Sequence, residues 1–537
     1  MKRSAAGLLI LALFLCLLPA CGQKGTPAGS LRPPAIRSLT VLREAAELAA
    51  VEDAVPWERY WFDPDTVYAD LSHYPGLAYS LVVGTGTAFP GGLPEGYDPQ
   101  GLIDWGMDPG LNVDILHAYG YTGKGAVIAY IDQPALPHPE YDRENIHRDY
   151  SGDYPLSMHG PAVLSLLAGK NIGTAPDAEV YFFGHDSDQD AQLHEAEALY
   201  RVIALNDTLP EGQKITMVGF SDNINSVEAH EEEFRAAAKA CEEAGIMVWF
   251  CGENGAVTFL PWADKNDPEN LMIDQWGGGR PTLVYVPSSG RTVACAFENT
   301  EYFYCPTGGL SWTMPYTMGL YAIAVSIDPT LTQKELRNMI VDTAYTGTGR
   351  INTGNALAGE LTRTMDIRIV NPVGFVAAAL ERVGRNDEAD TLRAEVRARQ
   401  KYLYAVLDMD TVSREDQGAI YRALAWITEA RVVVADASRF TDGAELYAAI
   451  QADLQERGGT LAGFQLFGDV PQPDGPGEGE TPPVWRLSLA PGEYAAFFED
   501  YRTAALAGQP DMLDAGILFP PNRAGMALSI AGGYLGK

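Results

Sequence analysis

Basic residues are scarce in this chain: 38 lysines and arginines stand against 71 aspartates and glutamates, a formal charge of −33. So acidic a balance argues against a basic patch that grips nucleic-acid phosphates or an anionic membrane surface. No nucleic-acid partner is expected, and the acidic surface mainly confers solubility. Cysteine occurs six times, and no Cys/His spacing suggests zinc, since all eight histidines lie before residue 231. The apolar run at residues 8–18 is too short to cross a bilayer comfortably. No internal repeat is apparent. What the chain has in quantity is apolar mass: 537 residues with 46% hydrophobic content can build two or three domains with substantial cores.

The first residues read as an address. Lys2 and Arg3 precede the apolar run, and Leu18-Pro19-Ala20-Cys21 closes it. That ending resembles the bacterial lipobox, in which the cysteine is lipidated and becomes the mature N-terminus. Cys21 is therefore the expected lipidation site, and a cell-membrane protein tethered by lipid and facing outside the cytoplasm is the expected product. Residues 24–36, rich in Pro and Gly, would form a flexible leash.

Three distant segments carry the chemistry. From Gly120 to Asp132 a glycine-rich turn leads into a continuous apolar run, the pattern of a strand buried on both faces of a parallel sheet. Asp132 would then lie at the carboxyl end, where open α/β sheets place their sites. His159 stands at the head of a segment with apolar and small residues at helical spacing, His159-Gly160-Pro161-Ala162-Val163-Leu164. Ser311 sits in Gly308-Gly309-Leu310-Ser311-Trp312-Thr313-Met314-Pro315, at the start of a second such helix. Taken singly, an Asp after a strand or a Ser before a helix is most often a cap. Together, an Asp, a His and a Ser so placed have the composition of an acyl-transfer triad.

In this order and with these flanks the chain resembles the subtilisin-like serine peptidases (peptidase S8). His159 follows Asp132 by 27 positions and Ser311 follows His159 by 152, close to what that family's catalytic domain requires. His138-Pro139-Glu140 resembles its element after the catalytic Asp, and Gly173-Thr174-Ala175-Pro176 its turn after the His helix. Residues 215–221 resemble its substrate-flanking strand, and residues 244–250 the strand before its oxyanion asparagine. The resemblance covers roughly residues 105–345. It implies an α/β fold, a mostly parallel sheet flanked by helices, and a serine endopeptidase acting on polypeptide substrates. Asp132, His159 and Ser311 would be its catalytic residues. No cofactor is expected; calcium is a common structural ion in that family, but no acidic cluster here has the spacing to name a metal site.

The chain departs from the family pattern most sharply at the oxyanion position. Cys251-Gly252-Glu253-Asn254-Gly255 puts Glu253 where an amide donor belongs, and an ionised carboxylate only accepts hydrogen bonds. Two arrangements restore a donor: Asn254 after a one-residue slip, or Glu253 kept protonated by burial.

Four cysteines, Cys241, Cys251, Cys295 and Cys305, fall within the expected catalytic domain. Exported chains permit disulfides, and a Cys295–Cys305 pair would tie the loop before Ser311; buried thiols are the alternative. Residues 22–104 read as a linker and extension, a pro-segment or a piece packed on the domain. The catalytic domain is expected over 105–350 and a helical connecting region over 351–429, with residues 345–371 a turn-rich boundary and helices at 372–407 and 413–429. Residues 430–537 read as a smaller C-terminal α/β domain: strand over 430–435, helix over 442–457, strand over 461–467. Two functions are compatible with this reading: a lipid-anchored serine endopeptidase, or a catalytically silent relative that binds peptides or envelope partners.

Overall fold

The computed structural model describes residues 70–149, 158–186, 190–222, 230–273, 283–295, 301–306, 308–351, 363–474, 482–506 and 522. The expectations placed on residues 1–69, Cys21 and the signal segment among them, lie outside the described residues. No helix within the described residues is long and apolar enough to cross a membrane.

A five-stranded parallel sheet organises the first unit. Its strands are β1 (Val127–Asp132), β2 (Ile146–Asp149), β3 (Glu179–Gly184), β4 (Met217–Phe220) and β5 (Met247–Phe250), in the spatial order β2-β3-β1-β4-β5. Every neighbouring pair is parallel. All six residues of β1 are buried, which is why its sequence is apolar throughout instead of alternating. The alternation survives in where the side chains go. Val127, Ala129 and Ile131 join a core with α2 (Ala191–Thr208) and α3 (Glu231–Glu243), while Ile128 and Tyr130 join the larger core with α1 (His159–Ala168) and α4 (Thr313–Ile327). Helix α4 is buried from Thr313 to Val325, as expected of a helix apolar on all sides. From β1 the chain builds the sheet outward on one side through β2 and β3, then on the other through β4 and β5. The carboxyl ends of β1 and β4 thus form a topological switch point.

Beyond β5 lies a closed barrel. It contains β6 (Asn254–Phe259), Leu271–Ile273, Val284–Ser289, Tyr345–Ile351 and Arg363–Ile369. The last two strands form an antiparallel hairpin in a stretch expected to be a turn-rich boundary. Pairing to strands about eighty residues earlier, with Arg368 opposite Val284 and Arg350 opposite Met272, holds them extended despite their glycine and polar content. The first unit therefore continues past residue 350. It also takes in the helix Pro372–Arg382, whose Phe375 ring lies 5.8 Å from that of Tyr321 on α4.

Residues 70–107 pack onto this unit. Val83–Gly84 adds an edge strand to the hairpin of Arg291–Cys295 and Glu301–Cys305. The helix Pro99–Met107, capped by Asp98, whose side chain accepts from the Gly101 N–H, packs on Arg291–Cys295. In the hairpin register Cys295 faces Glu301 and Cys305 faces Arg291. The two cysteines are thus about 13 Å apart along the strand, too far for the disulfide considered above. Cys241 and Cys251 are buried free thiols, and burial pushes Cys241 up to about 12.

The C-terminal unit is a four-stranded parallel sheet in the spatial order Arg431–Asp436, Lys401–Leu407, Thr460–Phe467, Val484–Leu487. Lys401–Leu407 is its central strand, where a helix was expected to continue to residue 407. Leu403, Ala405 and Leu407 enter the core on one face, and Tyr402, Tyr404 and Val406 the core on the other. The expected helix over 442–457 is present as Gly443–Arg457, with the Asp442 side chain accepting from the Glu445 N–H. This unit is bonded firmly to the first: Arg431 pairs with Asp267 at 3.0 Å with side chains 20% and 10% exposed. Asn270 Nδ2 donates to the Thr428 carbonyl at 3.0 Å. Removing one partner of a mostly buried ion pair leaves an uncompensated charge. Arg431→Ala should cost about 3 kcal/mol in urea unfolding, and adding Asp267→Ala should recover most of that loss.

Candidate active site

Asp132 ends β1 at the switch point with only 2% of its surface exposed. A buried carboxylate needs donors. It has two: the Gln133 backbone N–H at 2.8 Å and His159 Nδ1 at 2.6 Å, both on Oδ1. His159 is the first residue of α1, and Gly160 sets how closely that helix approaches the strand. A Cβ at Gly160 would lie 2.0 Å from the Gln133 carbonyl oxygen and 2.7 Å from that of Pro134. Because the carboxylate can only accept, the proton of the shared bond resides on Nδ1, and neutral His159 presents Nε2 as a base. Burial pulls the imidazole toward neutrality, but the Asp132 charge and hydrogen bond, with Asp222 adding to them, prevail and raise its pKa above the ordinary value.

Ser311 occupies the middle of the turn Leu310–Trp312 that leads into α4, and it is half-buried. Helix α1 packs against this turn, as does the short turn Cys251–Glu253 after β5. Two of the three expected triad residues are therefore joined directly, and the third is carried by a turn packed on the helix that bears His159. The turn's own carbonyls are held from below. Thr313 Oγ1 donates to the Leu310 carbonyl at 2.7 Å, and Ser221 Oγ donates to the Ser311 carbonyl at 3.1 Å.

No protein-family model matches the chain. Among curated proteins it is similar to the extracellular serine protease of Serratia marcescens, with 21% identity over 249 residues, covering 42% of this chain and 22% of that protein. The sequence similarity is thus to a serine protease. This chain spans less than a quarter of that relative's length. Among solved structures, a cold-adapted subtilisin-like serine proteinase matches at 12% identity over 47% of this chain and 89% of its own, with a TM-score of 0.34. A subtilase cytotoxin structure matches at 13% identity over 53% and 99%, with a TM-score of 0.39.

The two residues expected at the oxyanion position both have side-chain partners in the structure. Both oxygens of Glu253 accept from Arg337, Nε at 2.8 Å, and the guanidinium lies 5.0 Å from the centre of the Trp249 ring. That fork engages both Glu253 oxygens as acceptors. Asn254 begins β6 and is 6% exposed. Its Nδ2 donates to Thr317 Oγ1 at 3.1 Å and approaches Thr313 Oγ1 at 3.5 Å. The Thr317 hydroxyl proton goes to the Thr313 carbonyl and that of Thr313 to the Leu310 carbonyl. Both hydroxyl oxygens can then only accept, and this sets the orientation of the Asn254 amide. Asn254 thus braces the start of α4.

The sequence reading missed the residues that support this arrangement. Tyr130, Ser221 and Thr313 lie in segments singled out above, but nothing there marked their supporting roles, and Arg337 and Thr317 are ordinary residue types with no local pattern at all. Glu140 had a signal, in the His138-Pro139-Glu140 element, but its role is structural. It is fully buried and accepts from Asn171 N, Asn171 Nδ2, Ile172 N and Tyr302 Oη. Among the described residues no group of three or more His, Cys, Asp or Glu is arranged to hold a metal ion.

The close approach at Gly160 makes a direct prediction. Gly160→Ala should push α1 away from the residue 133–134 backbone and lengthen the Asp132–His159 bond. The His159 pKa, followed by NMR titration, should then fall toward the ordinary value of about 6.5.

Proposed function

We propose that this chain is a serine endopeptidase that cleaves polypeptides through Asp132, His159 and Ser311. The observation that carries the reading is the 2.6 Å hydrogen bond between buried Asp132 and His159 Nδ1, with the Ser311 turn packed on the helix of His159. In this mechanism His159 Nε2 takes the Ser311 hydroxyl proton as Oγ attacks the peptide carbonyl carbon. Asp132 holds the tautomer and stabilises the imidazolium. The same proton passes to the leaving amine, and water activated by His159 then hydrolyses the acyl ester. The developing oxyanion is assigned to the Ser311 backbone N–H and the positive end of α4, since Asn254 and Glu253 are engaged elsewhere. Export and tethering through a lipid on Cys21 belong to the same proposal and rest on the sequence of the first twenty-one residues.

One observation favours the second reading, a catalytically silent peptide-binding relative: the Asn254 donors are committed to α4. Labelling separates the two. A fluorophosphonate probe should modify Ser311, identified by mass spectrometry, and Ser311→Ala should abolish the label; folded protein that takes no label would leave the binding role. Glu253→Gln should change kcat by less than about tenfold, against the hundredfold to thousandfold that loss of an oxyanion donor costs.

The pH profile carries a sign. His159 must be neutral to act as a base, so kcat/KM should fall as pH drops through its raised pKa. Asp222 is one of the charges that raise it, so Asp222→Asn should move the acid limb to lower pH.

A further inference from the structure

A second chain of hydroxyls reaches Ser311 from the strand that carries Asp132. Ser221 Oγ donates to the Ser311 carbonyl at 3.1 Å, and Tyr130 Oη lies 2.8 Å from Ser221 Oγ. A carbonyl only accepts, so the Ser221 proton is directed at Ser311 and the phenol must donate to Ser221. Burial holds the Tyr130 phenol well above its ordinary pKa, so that proton remains in place at any working pH.

The surroundings hold the phenol rigidly. Tyr130 is fully buried, and its ring stacks on Phe182 at 6.2 Å with 8° between the planes. In the sheet it stands opposite Gly219 on β4. A Cβ there would lie 2.9 Å from Met318 Cγ and 3.1 Å from Tyr130 Cε2, so glycine leaves the space the ring crosses to reach Ser221. Tyr130 precedes Asp132 by two residues, which places both on the face of β1 that meets α1 and α4.

We propose that Tyr130 is a positioning residue: acting through Ser221, it fixes the Ser311 main chain relative to the strand that holds Asp132. The proposal rests on the reading of Ser311 as the nucleophile. The bond from Thr313 to the Leu310 carbonyl braces the same turn from the α4 side, so consecutive carbonyls are held from two directions. Freeing one of them lets Ser311 shift against His159, and a displacement of about 1 Å can cost a hundredfold in rate.

The test compares wild type, Tyr130→Phe, Ser221→Ala, Ser221→Thr and the Tyr130→Phe/Ser221→Ala double variant. It measures the rate of fluorophosphonate labelling, kcat and KM on an unfolded polypeptide substrate, and thermal unfolding. Tyr130→Phe should lower kcat and the labelling rate by about tenfold or more with KM within about twofold, and Ser221→Thr should keep near-native rates. The double variant should be no slower than Ser221→Ala, because both residues act through one bond. Wild-type rates in Tyr130→Phe, beside a wild type that labels at Ser311, would overturn the relay and leave the nucleophile assignment standing. Absence of label in folded wild type would overturn the nucleophile assignment and the relay with it. Should Tyr130→Phe fail to fold, half-exposed Ser221 decides: wild-type rates in Ser221→Ala overturn the proposal, and a selective loss of kcat rescued by Ser221→Thr supports it.

Discussion

A carboxylate buried at the end of a central strand is costly unless its charge is met by donors, and Asp132 is in that position. Meeting it requires His159 Nδ1 within 2.6 Å, which in turn requires α1 to start directly above the residues that follow β1. Glycine at 160 removes the side chain that would prevent this approach. With α1 in place, the turn at Ser311 packs on it, α4 packs against the sheet, and Asp132 and His159 stand at the switch point between β1 and β4. The remaining core is arranged around that geometry, with Ile128 and Tyr130 facing α1 and α4 and their neighbours along β1 facing α2 and α3.

Support for the Ser311 turn is distributed among residues outside the expected triad. From Asn254 two buried arms of hydrogen bonds run, one through the Thr317 hydroxyl to the Thr313 carbonyl and one through the Thr313 hydroxyl to the Leu310 carbonyl, and Tyr130 and Ser221 form another chain that ends on Ser311. Each hydroxyl has a single proton, so every direction in these chains is determined by its terminal carbonyl. Such networks give rigidity when fully satisfied, and both of these are closed at the turn. Arg337 acts differently. It pairs with Glu253 at the end of the Cys251–Glu253 turn, which itself packs on the Ser311 turn.

Much of this was legible in the sequence. The apolar run into Asp132, the small-residue helix opening at His159 and the helix after Ser311 are local patterns, and each element formed where its pattern placed it. The βαβ pattern of the C-terminal unit was equally local. The strand Lys401–Leu407 was misread because the helix Asn386–Arg399 ends one residue before it begins. The change from a helical period to a strand period takes place across Gln400, with no turn residue to announce it. The hairpin at Tyr345–Ile351 and Arg363–Ile369 was misread for the opposite reason: its residues look like turns, and pairing to distant strands keeps them extended.

The division follows the range of the forces involved. Residue type, period and order along the chain determined which elements form and which three side chains stand at their ends, because helix and strand patterns are set by neighbours a few positions away. Only the tertiary structure decided where Glu253 and Asn254 point. Glu253 finds its partner 84 positions away at Arg337, and Asn254 finds its partner 63 positions away at Thr317. Which partner a polar group takes depends on what folding brings within about 3 Å, and no local pattern encodes that.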